Sequence, residues 1–424
     1  MKIFLSVCFL AVVMFNCFGH AGQGEPKAVK KVQKSRSCDL TAIQNRILDV
    51  IEKRFISPEG VLYDYAGLNG EVILPTPEEC ALNKPNALAW NTPIENGGFF
   101  NGLLLVGLVD LWETQPSEKI AKMARTMVKG LYVLQDKSPV PGCILRGIGK
   151  DGCFYPASST DQVIPWLLGL WVYSKSSLAT DAERKECRKR CYALVKALEK
   201  NNWIIPGTKE GFSRGNLVSY SPINNCALVL AAMVLDEMES TDHHLNAVLN
   251  KKRTASILAG YPKIRARECW YTSHNFYIMR MLSNQVKDKE LRAKLHHALN
   301  ITAAALPGGI ATWKKHKPGL KFSPDWHALN RVWFEQKNCK EAQACSNPQW
   351  AIWNETSPAV MNERQSIMFG LSSAWILLMS EDKAIVEANK GAILEMLNSI
   401  PYEKLYYVPF FYAINVISEL SKYM

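Results

Sequence analysis

The sequence predicts an all-α fold in which consecutive helical hairpins close into a ring, and three observations carry that expectation. Apolar residues recur at helical spacing along most of the chain. Segments that are apolar on every side alternate with segments that carry one apolar stripe and a charged face. The connections between them are too short for another domain. Composition agrees, since 48% hydrophobic and 21% charged residues describe a globular chain rather than a disordered one.

In chain order, segment 39–55 sets Leu40, Ile43, Ile47, Leu48, Ile51 and Phe55 on one face behind Asp39, a suitable cap. A long loop through Tyr63, Asp64, Tyr65, Cys80 and Trp90 leads to Glu95. Segment 96–113 is nearly apolar all round and carries Gly97, Gly98, Gly102 and Gly107, so it must be buried on every side. Segment 117–135 keeps Glu118, Lys119, Lys122, Arg125 and Lys129 outside a single apolar stripe, the mark of an outer helix.

The alternation then repeats. Segment 159–174 is apolar, 181–200 charged, 223–238 apolar, 243–258 mixed, 274–282 apolar and 288–303 charged. Segments 362–379 and 405–420 are apolar again, with mixed 382–397 between them. In 159–174, Ser159 and Thr160 suit a helix cap, Asp161 suits the positive end of the helix dipole, and Pro165 is expected in a first turn. Six buried helices alternating with six amphipathic ones imply a ring whose inner helices run parallel and open their N-termini on one face. A linear solenoid of the same hairpins is the alternative architecture.

Segment 305–361 interrupts this order and holds Trp313, Trp326, Trp333, Trp350 and Trp353. Aromatic faces stack on the apolar faces of sugar rings, so this irregular Trp-rich insertion is placed over the open face, with Trp313 and Trp326 as candidate substrate contacts. A satellite apolar cluster beneath a long loop is the alternative.

The first 21 residues combine a basic start at Lys2, an apolar run and a small-x-small cleavage pattern at Gly19-His20-Ala21, which predicts a signal peptide and a secreted or periplasmic protein. Residues 22–38 form a basic leader carrying Lys27, Lys30, Lys31, Lys34 and Arg36, and 39–424 a single domain. The formal charge of +11 includes Lys2, so the mature chain carries about +10. That balance suits acidic polysaccharide, an anionic membrane surface or incidental nucleic acid as a partner. The expected partner is an oligosaccharide or polysaccharide substrate, with no nucleic acid and no stable membrane insertion after signal cleavage. The oligomeric state stays open. Cleavage also removes Cys8 and Cys17, leaving ten cysteines in an exported chain, with Cys143–Cys153 and Cys339–Cys345 the expected disulfides. No clustered CxxC or Cys/His spacing occurs, so no structural metal is expected. Gly-rich phosphate loops, a GxSxG elbow and nucleotide fingerprints are absent, and no cofactor is expected.

The expected mouth of the ring gathers Glu95 and Asn96, Asp161 and Gln162, Asn224 and Asn225, then Tyr271, His274 and Asn275, and finally Asn362, Glu363 and Arg364. Two carboxylates, Glu95 and Asp161, can divide into a general acid and a partner that polarises water or stabilises positive charge. Asn96, Gln162, Asn225, Tyr271, His274 and Arg364 supply hydroxyl and carboxylate recognition. Each has a structural alternative: the carboxylates as helix caps, His274 as a hydrogen-bonded core residue, Glu363 with Arg364 as a capping pair.

The twelve-helix alternation, with Glu95-Asn-Gly-Gly-Phe-Phe100 and Thr160-Asp-Gln-Val-Ile-Pro-Trp166, resembles the (α/α)6 toroid of the six-hairpin glycosidases over about residues 39–424. In layout it is most similar to the unsaturated glucuronyl hydrolases, which carry acidic residues at the starts of two successive inner helices. That resemblance implies Asp161 as the general acid/base and Glu95 as the second carboxylate, although those families have Asp where this chain has Glu95. The expected function is therefore an exported glycoside hydrolase acting on acidic or uronic-acid-containing oligosaccharides. A polysaccharide lyase on the same fold, and a glycan-binding protein without turnover, are the alternatives.

Overall fold

The amphipathic helices of this chain mostly start at a capping side chain, and the helices are buried according to how far their apolar surface wraps around them. The computed structural model describes residues 39–219 and 225–424, so the expected signal peptide, the leader and Asn224 lie outside the described residues. α1 (Leu40–Arg54) begins at Asp39, whose carboxylate accepts the Ala42 N–H at 3.0 Å. The short α2 (Pro77–Ala81) is closed by a capping box between Thr76 and Glu79. Then follow α3 (Gly97–Thr114), α4 (Glu118–Asp136), α5 (Thr160–Lys175), α6 (Asp181–Lys200) and α7 (Ala227–Glu239). The expected helix 243–258 is two, α8 (His243–Val248) and α9 (Lys251–Leu258), because Asn250 stops the first and caps the second.

α10 (Ala266–Gln285) starts eight residues before the expected 274. Glu268 accepts the Arg265 N–H at 3.0 Å and its guanidinium Nε–H at 2.8 Å, which fixes the start of this helix and makes residues 266–273 helical as well. After α11 (Lys289–Ala304) and the single turn α12 (Pro307–Ile310), the insertion contains a full helix, α13 (Cys339–Thr356), and so is only partly irregular. The expected helix 362–379 is α14 (Pro358–Glu363), a π turn over Arg364–Met368 and α15 (Phe369–Leu378). α16 (Lys383–Ser399) and α17 (Tyr412–Leu420) complete the chain. Among the described residues the fold is all-α, with isolated bridges and no strand, and no helix is long and apolar enough to cross a membrane.

Helices that are apolar all round are the buried ones, as burial of apolar surface demands. α3 packs on α5 and α17, α5 on α7, α7 on α10, α10 on α15, and α15 on α17. Each has an amphipathic companion: α4 on α3, α6 on α5, α8 on α7, α11 on α10, α16 on α15 and α1 on α17. The α3–α5 crossing depends on two glycines. A Cβ on Gly102 would lie 2.1 Å from the Pro165 carbonyl oxygen, and one on Gly169 would lie 2.7 Å from the Gly102 carbonyl oxygen. Pro165 is the sixth residue of α5 rather than part of its first turn, so the helix tolerates a missing N–H donor where α3 presses against it.

At the C-terminal ends of α3, α10 and α17, charges replace apolar contacts. The Tyr277 hydroxyl donates to Asp110 at 2.8 Å, while Arg280 pairs with the buried Glu419 and lies 3.6 Å from Asp110. One guanidinium thus joins carboxylates from two helices.

The expected disulfides are corrected: Cys143, Cys153, Cys339 and Cys345 are all free thiols. Cys339 and Cys345 lie six residues apart on α13, about 9 Å along the helix axis. A disulfide needs Cα atoms within about 7 Å. Cys143 is buried beside Ser138 and Ser158, whereas Cys153 turns towards Cys80.

Candidate functional site

A cavity of about 460 Å³ is lined by Glu95, Asp161, Tyr271, His274 and Arg364, with Trp90, Arg214, Trp270 and Trp350 among its other walls. Five residues singled out in the sequence therefore meet around one space, although they come from four separate stretches of chain. Glu95 is the second residue before α3, and Asp161 the second residue of α5. Tyr271 and His274 lie inside α10 rather than before it, and Arg364 opens the π turn after α14. A π turn widens the backbone ladder locally, a device found often at functional positions.

The mouths of α3 and α5 are tied by side chains that face away from the cavity. Gln162 Nε2 donates to Asn96 Oδ1 at 3.1 Å and to the Glu95 carbonyl at 3.4 Å, while its Oε1 accepts the Phe99 N–H at 3.2 Å. Asn96 in turn donates its N–H to Asp64 Oδ1 at 2.8 Å and its Nδ2 to Asp64 Oδ2 at 2.6 Å. Asn96 and Gln162 are thus position-setting residues and not lining residues. Arg146, fully buried, donates to the Glu95 carbonyl at 3.1 Å and to Ser159 Oγ at 2.8 Å. The expected cap at Ser159 therefore serves the arginine and makes no side-chain bond to the helix.

Glu95 is itself buried, and its carboxylate accepts the Asn91 N–H at 2.8 Å. Burial raises its pKa, with Arg364 pulling the other way. Asp64 behind it is pushed well above the usual carboxylate range, first by burial and then by the Glu95 charge. Two carboxylates in one buried site favour keeping a proton between them. Asp161, by contrast, is only partly buried. His274 is buried, both its ring nitrogens lack a hydrogen-bond partner, and burial pushes its pKa down to about 4 with Asp161 opposing. The ring is neutral at ordinary pH, and it borders the cavity with both nitrogens buried and unpartnered.

The opposite wall alternates guanidinium and indole. Arg214 lies 4.9 Å from the ring of Trp90, whose centroid is 6.2 Å from that of Trp350. Arg364 is held between Trp350 at 5.1 Å and Trp270 at 4.7 Å. Stacking on indole faces fixes each cation without consuming its in-plane donors. Gly215 allows Arg214 to approach: it adopts φ +87°, and a Cβ there would lie 2.4 Å from Thr160 Oγ1 at the start of α5.

No known protein family matches this chain, and no curated protein does. The site must be read from its own chemistry.

The remaining sequence candidates lie elsewhere. Asn225 is buried, with its side chain donating to Ser256 Oγ at 2.7 Å and its carbonyl accepting from Arg253 at 3.2 Å, which fastens α9 to the start of α7. Glu363 accepts the N–H groups of Tyr406 at 2.9 Å and Tyr407 at 2.8 Å and holds that turn, so it is not a cap for Arg364. Trp326 is fully buried and donates to the Ile73 carbonyl at 2.9 Å, and Trp313 packs against the main core, so neither is a cavity wall. The insertion contributes Trp350 instead. Trp90, Trp270, Arg214 and Asp64 escaped the sequence reading as site residues. Only Trp270 carried a local signal, lying four residues before His274 on one helix face.

Proposed function

We propose that this protein is an exported glycoside hydrolase acting on acidic or uronic-acid-containing oligosaccharides. The observation that carries the reading is that Glu95 and Asp161 border one cavity whose walls are indole rings and stacked guanidinium groups. Indole faces suit sugar rings, and Arg214 and Arg364 suit a carboxylate substituent. Asp161 acts as general acid/base, and Glu95, held by Asn91 N–H and facing Arg364, is the second carboxylate. The proposed architecture is the (α/α)6 toroid, with 305–361 inserted into it. In its support, the packing partners α3, α5, α7, α10, α15 and α17 return to their starting helix, as ring closure requires. The test is turnover of a panel of acidic oligosaccharides by wild type and Asp161→Asn. Undiminished turnover by the variant would remove Asp161 from its role.

One observation favours a lyase as the second reading: His274 is a neutral base at the cavity with both nitrogens unpartnered. In that reading His274 abstracts a proton next to a uronate carboxylate and Arg364 neutralises the carboxylate. Near-ultraviolet absorbance separates the two reactions, because a lyase creates an unsaturated uronate whereas an unsaturated glucuronyl hydrolase consumes one.

A further inference from the structure

Outside the cavity, the chain sets two thiols from distant segments against each other. Cys80 sits in α2, and Cys153 directly follows the single 3-10 turn over Lys150–Gly152. The two side chains share a small apolar cluster with Ala89, Ile94 and Tyr155. Their backbones are already docked, since the Pro75 carbonyl accepts both the Lys150 N–H at 2.9 Å and the Cys153 thiol at 3.3 Å. The Tyr155 hydroxyl adds a bond to the Lys84 carbonyl. Gly149 leaves room for the sulfur, because a Cβ there would lie 2.7 Å from Cys153 Sγ.

We propose that Cys80 and Cys153 are a covalent modification site, joined by thiol–disulfide exchange into a cross-link between the loops that lead to Glu95 and Asp161. The two sulfurs have different access. Cys80 is 4% exposed, whereas Cys153 is only half-buried, so an external reagent meets Cys153 first. Cys153 is also the more acidic thiol: its hydrogen bond with Cys80 lowers its pKa, and the same contact raises that of Cys80.

With a small-molecule disulfide such as oxidised glutathione as oxidant, the Cys153 thiolate attacks one sulfur and releases one thiol. Cys80 then loses its proton and attacks Cys153 Sγ in the mixed disulfide, and the second thiol leaves. The protein gives up two protons and two electrons, which the reagent carries away as two thiols. Cys80 precedes the Asn91–Glu95 turn, and Cys153 precedes Ser158, whose hydroxyl donates to the Ile144 carbonyl at 2.6 Å. The cross-link therefore restrains both approaches to the cavity. This inference is independent of the activity proposed above.

The test uses the full chain, reduced, desalted, incubated with oxidised glutathione under native conditions, alkylated and mapped by mass spectrometry. The expected result is a Cys80–Cys153 linked peptide, an intact mass lower by about 2 Da, and a Tm raised by several degrees that dithiothreitol reverses. Cys80→Ser is expected to trap one glutathionyl group on Cys153, and Cys153→Ser to abolish both the trapped adduct and the Tm shift. Linkage of Cys153 to Cys143 or any other cysteine, or free alkylation of both Cys80 and Cys153 after oxidation, overturns the proposal. The wild-type map decides the matter even if a serine variant fails to fold.

Discussion

Gln162 donates to Asn96 across the mouths of α3 and α5, Nε2 to Oδ1 at 3.1 Å. Each of these residues directly follows a carboxylate that borders the cavity, Asp161 in one case and Glu95 in the other. The bond therefore sets the separation of the two acids through the backbone. Replacing Gln162 by Ala leaves the Phe99 N–H without its acceptor and Asn96 Oδ1 without this donor, both buried. A loss of about 2–3 kcal/mol in unfolding free energy is expected, measured by urea denaturation. Unchanged stability would show that the clamp is not the contact that holds these helix starts.

Asp161→Asn and Glu95→Gln are each expected to lower kcat/KM on acidic oligosaccharides by about 10²–10⁴-fold, the span attached to a lost acid or base. Circular dichroism melts should stay near those of wild type, because Asp161 is partly exposed and Glu95→Gln removes a buried charge that faces Asp64. A variant with full turnover removes its carboxylate from the chemistry.

Arg364→Ala should raise KM for an acidic oligosaccharide by about tenfold or more, consistent with one lost charge-assisted contact, and change KM for a neutral one much less. Arg364→Lys is not expected to rescue, since an ammonium has no planar face to lie between Trp270 and Trp350. Trp313→Ala serves as the control and should leave both KM values unchanged, as Trp313 packs on the core away from the cavity. Equal effects on the two substrates would argue against carboxylate recognition.

The pH dependence of stability should carry a His274 contribution. Its folded pKa of about 4 lies below the ordinary 6.5, so the unfolded chain binds the proton more readily. The stabilisation is complete above the unfolded value and is lost as pH falls from there through the folded one. Its ceiling is about 3 kcal/mol, from 1.36 kcal/mol per pKa unit. Melts of wild type and His274→Gln between pH 4 and pH 7 should converge towards the acid end. Parallel curves would contradict neutral burial of the ring.

Gly102→Ala should cost about 1–3 kcal/mol by overpacking, because its methyl group would fall 2.1 Å from the Pro165 carbonyl oxygen and force α3 and α5 apart. The drop in Tm measures it. Gly391→Ala, where a Cβ would meet nothing within 4 Å, is the matched control and should leave Tm unchanged or slightly raised.

What the sequence determined by itself was the all-α class, the alternation of fully apolar with striped helices, and the cap at Asp39, which accepts a backbone N–H as its residue type predicts. These are local properties, written in spacing and side-chain chemistry within a few residues. Glu95, Asp161, His274, Tyr271 and Arg364 were also legible as unusual polar groups at apolar helices, and the fold brings these five to one cavity.

Only the tertiary structure decided which polar residues turn inwards to brace the scaffold, as Asn96, Gln162 and Asn225 do, and which face open space. The reason is that a buried amide must find partners on other segments, and those partners are set by helix packing. The same cause separated Trp326, consumed by the core, from Trp90, Trp270 and Trp350, which share the cavity with Arg214 and Arg364. Cysteine spacing suggested Cys143 for Cys153, yet folding placed Cys80 beside it, because loop docking rather than proximity in the chain brings side chains together.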